Sequence, residues 1–271
     1  MDSDSPSETT SSGGRAPLLA LGLLVFLGGF AVMVLEIVGA RYLQPWFGGA
    51  FYVWTSQIGV VMLALAAGYA VGGQLADRWK KARYLGLLLI PAGVFILLIP
   101  AMAPGLLDAI VDRHASESVN TVEIAPDPAV VETNLLADLD PSFLNPDGAK
   151  ETATDIPQAE EVMEIPAIWR KVDPAIGSAV VFLYPCFVLA MISPYMIRLA
   201  ASRVKAVGTV SGRVYAASTA GSIGGVFVTA YVLIDHLSNF GIFMFSGGLT
   251  LALAGLCFAL DRLWPETSLE N

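Results

Sequence analysis

Apolar residues along this chain gather into six long runs, at 16–43, 52–76, 84–103, 176–201, 210–234 and 240–260, with polar connections between them. About 20 consecutive apolar residues make a helix long enough to cross the hydrocarbon of a bilayer. Each run reaches that length, which predicts an all-α polytopic membrane protein of six transmembrane helices. Three runs precede a Pro-studded polar stretch and three follow it. The expected organisation is a cytoplasmic tail at 1–15, helices at 16–103, a loop at 104–175, helices at 176–263 and a short tail at 264–271. Met1 to Gly14 is mostly Ser, Thr, Asp and Gly, too polar to offset its ordering entropy, so disorder is expected there. Arg15 alone precedes the first run, which continues well past a signal-peptide core and reads as a permanent helix.

Small residues recur inside two of the runs. Gly68-Tyr-Ala-Val-Gly72-Gly73 lies in the second and Gly221-Ser-Ile-Gly224-Gly225 in the fifth. Lipid offers helices no hydrophobic drive to associate, so glycines one turn apart act as surfaces of close backbone approach. The same motif in the middle helix of each half predicts a 3+3 repeat. With an odd number of helices per half, the two halves run in opposite directions through the membrane.

Composition sharpens this picture. Hydrophobic residues make up 55% of the chain, charged residues 14%, and the mean hydropathy is +0.65, all displaced from soluble usage in the apolar direction. Six helices leave no room for a soluble catalytic domain with its own core. Cys186 and Cys257 both fall within predicted helices as small hydrophobes, and His114 and His236 stand apart. No metal or cofactor site and no nucleic-acid interface is expected.

Charge sets the expected orientation. Arg78, Lys80, Lys81 and Arg83 follow the second run, and Arg198, Arg203, Lys205 and Arg213 surround the link from the fourth to the fifth. The positive-inside rule makes both links cytoplasmic, puts both termini inside the cell membrane and leaves 104–175 outside. From Gly105 to Ala175 there are 15 acidic and 4 basic residues, or −11, against 9 acidic and 11 basic elsewhere, or +2. The net charge of −9 is therefore local to the outer loop. Its prolines, Pro174 among them, are expected to break long helices, with short interfacial helices at Leu106–Val111 and Val130–Leu139. The acidity suits a solvated loop, a vestibule that concentrates cations, or a halophile's surface, and the small number of Lys, five in the chain, agrees with the last.

Ionisable groups at membrane depth are the candidates for chemistry, because burying them there is costly. Glu36 lies within the first run, five residues before Arg41, an offset of about 140° that keeps the two off one helix face. Its available partners are Arg41 of a second subunit, Arg198, or a cationic substrate. A snorkelling role near the interface is the alternative, with Tyr42, Trp46, Tyr52 and Trp54 nearby as an aromatic belt. Pro194, in Ile192-Ser-Pro-Tyr-Met-Ile-Arg198, interrupts the fourth run, either as a packing kink or as the broken helix of a binding site. Tyr215, Ser218 and Thr219 give the fifth run a polar stripe that lines a cavity or bridges helices.

Several separated motifs occur in one order: Val34-Leu-Glu-Ile-Val-Gly-Ala-Arg41, Val53-Trp-Thr-Ser-Gln-Ile-Gly59, Leu65 through Asp77-Arg78, Ser193 through Arg198, Gly212 through Gly225, and Val232-Leu-Ile-Asp-His-Leu237. In that arrangement the chain resembles the membrane region of fused spermidine synthase-like proteins. The resemblance covers all six runs but neither the tail nor the acidic loop. It implies a helical bundle like half of a major facilitator transporter. In the family, such helices commonly precede a soluble aminopropyltransferase-like domain, whose catalytic residues have no counterpart here. The paired glycines lack the preceding strand and following acidic residue of a nucleotide-binding turn.

The leading expectation is a membrane anchor that recruits a separate aminopropyltransferase-like enzyme. The alternative is a small transporter of polyamines or related cations. Catalysis by the helices ranks below both, since no nucleophile, base and orienting group assemble from the sequence. The expected partners are the lipid bilayer, that separate soluble enzyme, a polyamine and a second copy of the chain.

Overall fold

The computed structural model describes residues 15–48, 50–118, 169–201 and 207–263. Among these there is no strand, and six helical spans are long and apolar enough to cross a membrane: Leu19–Phe47, Phe51–Trp79, Ala82–Asp112, Lys171–Ala201, Gly208–His236 and Asn239–Arg262. They are numbered here as spans 1 to 6, and each contains or overlaps one of the six apolar runs. The protein is thus a multi-pass helical membrane protein.

Spans 1 and 2, and spans 2 and 3, follow one another closely in the chain. Span 1 ends where Gly48 takes a left-handed φ of 64° and donates its N–H to the Gln44 carbonyl at 2.9 Å. Glycine carries no penalty in that conformation. Spans 2 and 3 meet at Lys80, which adopts φ 48° and donates to the Ala76 carbonyl at 3.2 Å. A non-glycine residue there is held by its surroundings. Tyr195 of span 4 donates its hydroxyl to the Lys81 carbonyl at 2.7 Å, and the Ala82 N–H donates to Asp261 Oδ1 of span 6 at 2.9 Å.

The strongest contacts do not follow chain order. Span 1 packs chiefly on span 5, span 2 on span 4, and span 3 on span 6. Glycines make each approach possible. A Cβ on Gly221 or Gly225 would strike the backbone of Phe26 or Phe30 in span 1. One on Gly68 or Gly72 would strike Phe187, Ala190 or Met191 in span 4. In the third pair, Gly93 and Gly247 meet back to back, the carbonyl of each 3.0–3.3 Å from where a Cβ on the other would lie. Spans 1 and 4 form the buried centre, while spans 2 and 5 are the most exposed. Span 4 is wound irregularly. A π segment, Ala179–Leu183, runs up to Tyr184–Ala190, and a turn at Met191 separates that helix from Ile192–Ala201. Pro185 and Pro194 explain the irregularity, because neither brings an N–H to the carbonyl four residues earlier.

Two expectations at the edges of the long loop are corrected. Leu106–Val111 is no separate helix, since one helix runs unbroken through Ala82–Ser118. Leu107 is buried there against Gly177, and Trp46 Nε1 donates to Asp108 Oδ1 at 2.7 Å, so tertiary contacts prolong it. Pro174 sits within the helix Trp169–Ser178 and does not break it. It forfeits one hydrogen bond near that helix's start, while Gly177 packs on the Phe47 ring. The tail at 1–14, the segment Val130–Leu139 and 264–271 lie outside the described residues.

Candidate functional site

A cavity of about 230 Å³ lies at membrane depth among spans 1, 2, 4 and 5. Its floor is Gly28, Gly29, Val32 and Met33 of span 1 with Leu189, Ala190 and Ser193 of span 4. Met62, Leu65 and Tyr69 of span 2 form one flank, Ser218 and Ser222 of span 5 the other. Several waters of about 30 Å³ each fit such a volume. The cavity is not fully enclosed, and its lining residues Met62 and Tyr69 of span 2 are 61% and 45% exposed.

Hydroxyls converge on this space. Ser193 Oγ donates to Ser218 Oγ at 3.3 Å, and Ser222 Oγ to the Gly29 carbonyl at 3.4 Å. Both bonds are long, so both hydroxyls are readily redirected to a guest. Pro194 adds to the polarity, because it offers no N–H to the carbonyl of cavity-lining Ala190. Apart from the Tyr69 ring, the remaining walls are aliphatic or thioether, which suits a ligand with an apolar body and a few polar ends.

Glu36 follows Met33 by three residues and Val32 by four, one turn farther along the same face of span 1. It is half-buried, and Cys186 of span 4 lies within its electrostatic reach. Among the described residues no hydrogen bond or ion pair reaches its carboxylate. Arg41 is exposed and stands apart from it. Arg198 pairs with Asp77 at the far end of spans 2 and 4, and both side chains are largely solvent-accessible.

The polar stripe of span 5 divides. Ser218 lines the cavity, Tyr215 lies exposed at its rim within electrostatic reach of Tyr69, and Thr219 is exposed beyond the rim. The glycine motifs divide as well. Gly68, Gly72, Gly221 and Gly225 touch a neighbouring helix, Gly224 makes ordinary contact with the Phe26 and Phe30 rings, and a Cβ on Gly73 meets nothing within 4 Å.

Sequence reasoning missed Gly28, Gly29, Tyr69, Ser193 and Ser222 as lining residues. The spacing of Ser218 and Ser222, one turn apart, was the available signal. Also missed was a buried pair on the other side of span 2, where Ser178 Oγ donates to Gln57 Oε1 at 2.6 Å. Gln57 Nε2 packs on Gly39 without a hydrogen-bond partner. Among the described residues no group of three or more His, Cys, Asp and Glu is placed to hold a metal. The chain matches no protein-family model, no curated protein and no solved structure.

Proposed function

We propose that this protein is a small transporter of polyamines or related cations. The observation that carries the reading is Glu36, a carboxylate at membrane depth with no partner among the described residues, one turn from a cavity lined with hydroxyls. A carboxylate left alone in lipid is costly, and a cationic substrate supplies its missing partner. Ser193, Ser218, Ser222 and the Ala190 carbonyl accept the N–H donors of an ammonium group, while Val32, Met33 and Leu189 cover its methylene chain.

A 3+3 inverted repeat, resembling half of a major facilitator bundle, gives this site its logic. Exchanging the halves turns the pairing of spans 1 and 5 into that of 4 and 2, and leaves 3 with 6. Gly68 and Gly221 are 153 residues apart, and so are Gly72 and Gly225, Leu65 and Ser218, and Tyr69 and Ser222. On the central spans an offset of 161 relates Gly28 to Leu189, Gly29 to Ala190 and Val32 to Ser193. The cavity thus straddles the axis relating the halves, where repeat-built transporters hold substrate. In this reading the Arg78–Lys81 turn is cytoplasmic, both termini are inside, and the acidic segment collects cations outside the cell membrane.

The test is uptake of labelled spermidine by vesicles carrying the purified chain. Uptake that falls at least tenfold in Glu36→Gln, with the variant folded, is the expected result. Equal uptake by folded Glu36→Gln, or none by the folded parent, rejects the proposal.

One observation favours the anchoring reading. The Lys80 turn is fastened to spans 4 and 6 by Tyr195 and Asp261, so it presents exposed Arg78 and Lys80 as a fixed basic surface. A separate aminopropyltransferase-like enzyme with an acidic face would dock there, as resemblance to the fused spermidine synthase-like proteins suggests. Co-purification of such an enzyme, lost on Lys80→Glu, is the matching experiment.

A further inference from the structure

The two ends of the bundle are built differently. Where span 2 turns into span 3, polar groups are matched: Tyr195 donates to the Lys81 carbonyl, the Ala82 N–H to Asp261, and Arg198 pairs with Asp77. Among the described residues four buried side-chain atoms lack a hydrogen-bond partner, Gln57 Nε2, Thr229 Oγ1, Asn239 Oδ1 and Ser246 Oγ, and all lie toward the opposite end. Asn239 opens span 6, Gln57 follows Phe51 by six residues, Ser246 follows Asn239 by seven and Thr229 precedes His236 by seven, so none is deeper than about 10 Å. Buried polar atoms without a partner are rare in native proteins, and water is their usual remedy. Among the described residues both π segments, Ala179–Leu183 of span 4 and Thr229–Leu233 of span 5, fall in this same half. Such windings recur at functional sites.

A pair of rings stands between that end and the carboxylate. Phe182, inside the first π segment, and Phe243 of span 6 stack with centroids 6.2 Å apart, and Tyr42 of span 1 meets Phe243 edge-on at 5.1 Å. Both phenylalanines are fully buried. Phe182 and the Gln57 amide pack together on Gly39, three residues beyond Glu36 on span 1, and Cys186 lies four residues beyond Phe182 on span 4. The Gln57 amide and the Phe182 ring therefore share one level, Glu36 and Cys186 the next, and the cavity follows. An unmatched polar atom accompanies each ring, Gln57 Nε2 beside Phe182 and Ser246 Oγ three residues after Phe243.

We propose that the stacked Phe182 and Phe243 rings are the gate through which water and a hydrated cation pass between that end and Glu36. Closed, as here, the rings seal the carboxylate from the end of the bundle and leave the polar atoms around them unmatched. When the rings part, water reaches those atoms, and their hydration offsets the lost ring contact. The matched hydrogen bonds at the Lys80 turn confine the opening to one end. That the passenger is a cation rests on the transport reading, whereas the gate does not.

The native cysteines report on the gate directly. Both are buried, Cys186 within reach of Glu36 and Cys257 four residues before Asp261 at the fastened end. The full-length chain in its own membranes is treated with a membrane-impermeant thiol reagent from each face in turn, and labelling is read peptide by peptide. Cys186 is expected to react slowly beside an exposed thiol, yet at least about tenfold faster than Cys257, and only from the face opposite to that at which a Lys80→Cys form reacts. Global unfolding exposes both thiols alike, so the ratio isolates a local opening. Phe182→Leu trims the gate and keeps an apolar side chain, and is expected to speed Cys186 by about threefold or more while Cys257 stays protected. Cys186 no faster than Cys257, Cys186 reacting from the Lys80 face, or an unchanged Cys186 rate in folded Phe182→Leu overturns the proposal. Spermidine held at Glu36 is expected to shield Cys186. A reactive Cys186 that spermidine fails to shield rejects the polyamine reading and leaves the gate standing.

Discussion

Glu36 is half-buried with no counter-charge among the described residues, so the folded state bears a desolvation cost. Glu36→Gln removes the charge and keeps the shape. It is expected to raise Tm by about 2–4 °C, the shift that roughly 1 kcal/mol gives a chain of this size. A thermal scan in detergent checks this, and a fall in Tm would mean the carboxylate has a structural partner. Tyr195 presents the opposite case, with its ring fully buried and its hydroxyl on the Lys81 carbonyl. Tyr195→Phe leaves that carbonyl short of a donor and is expected to cost about 1 kcal/mol, read from the same scan. The sequence marked Glu36 because a charge in an apolar run stands out. Tyr195 did not stand out, since its acceptor is a backbone atom far away in the chain and leaves no trace in composition.

At the scale of helices, the glycines separate into those a neighbour touches and those it does not. Gly221→Leu drives a side chain into the Phe26 backbone, and backbone cannot step aside. That variant is expected to lose assembly altogether, which gel filtration in mild detergent reports as aggregate. Gly73→Ala adds a methyl group to open space within one copy and is expected to leave the fold of that copy intact. Six long apolar runs fixed the number of helices from the sequence, and in lipid that signal has few competitors. Helix ends were less legible. Ala82–Ser118 outlasts its apolar run because Leu107 and Asp108 find partners on spans 4 and 1. Cavity lining was legible only in part, for Ser218 falls on the inward face of span 5 and Thr219, its neighbour, on the outward one. That distinction depends on which helix stands beside span 5, a fact of tertiary packing.

For the whole molecule, the basic turn supplies a direct test of orientation. With Arg78–Lys81 cytoplasmic, Lys80→Cys is expected to react with a membrane-impermeant thiol reagent in inverted vesicles and not in intact cells. The two native cysteines are buried and contribute little background. Labelling in intact cells would reverse the orientation. Across the same end, Asp77 and Arg198 tie span 2 to span 4 through solvent-accessible side chains. Exposed pairs of this kind contribute less than about 1 kcal/mol, so a double-mutant cycle between Asp77→Asn and Arg198→Gln is expected to give a small coupling. A coupling above that level would show the pair to be shielded from water when the chain is in lipid.

The pairing of span 1 with span 5 also has a consequence in time. Gly29 leaves the ribosome about 190 residues before Gly221, the motif that packs against its helix. At roughly 5–20 residues per second, span 1 waits on the order of 10–40 s for its chief neighbour, and span 3 waits comparably for span 6. During that interval the glycine faces of the first three helices lie uncovered beside whatever other membrane proteins are being inserted. Nascent chains arrested between spans 3 and 4 should therefore cross-link to the insertion machinery through Gly29 and Gly93, and release it only once the second half has emerged.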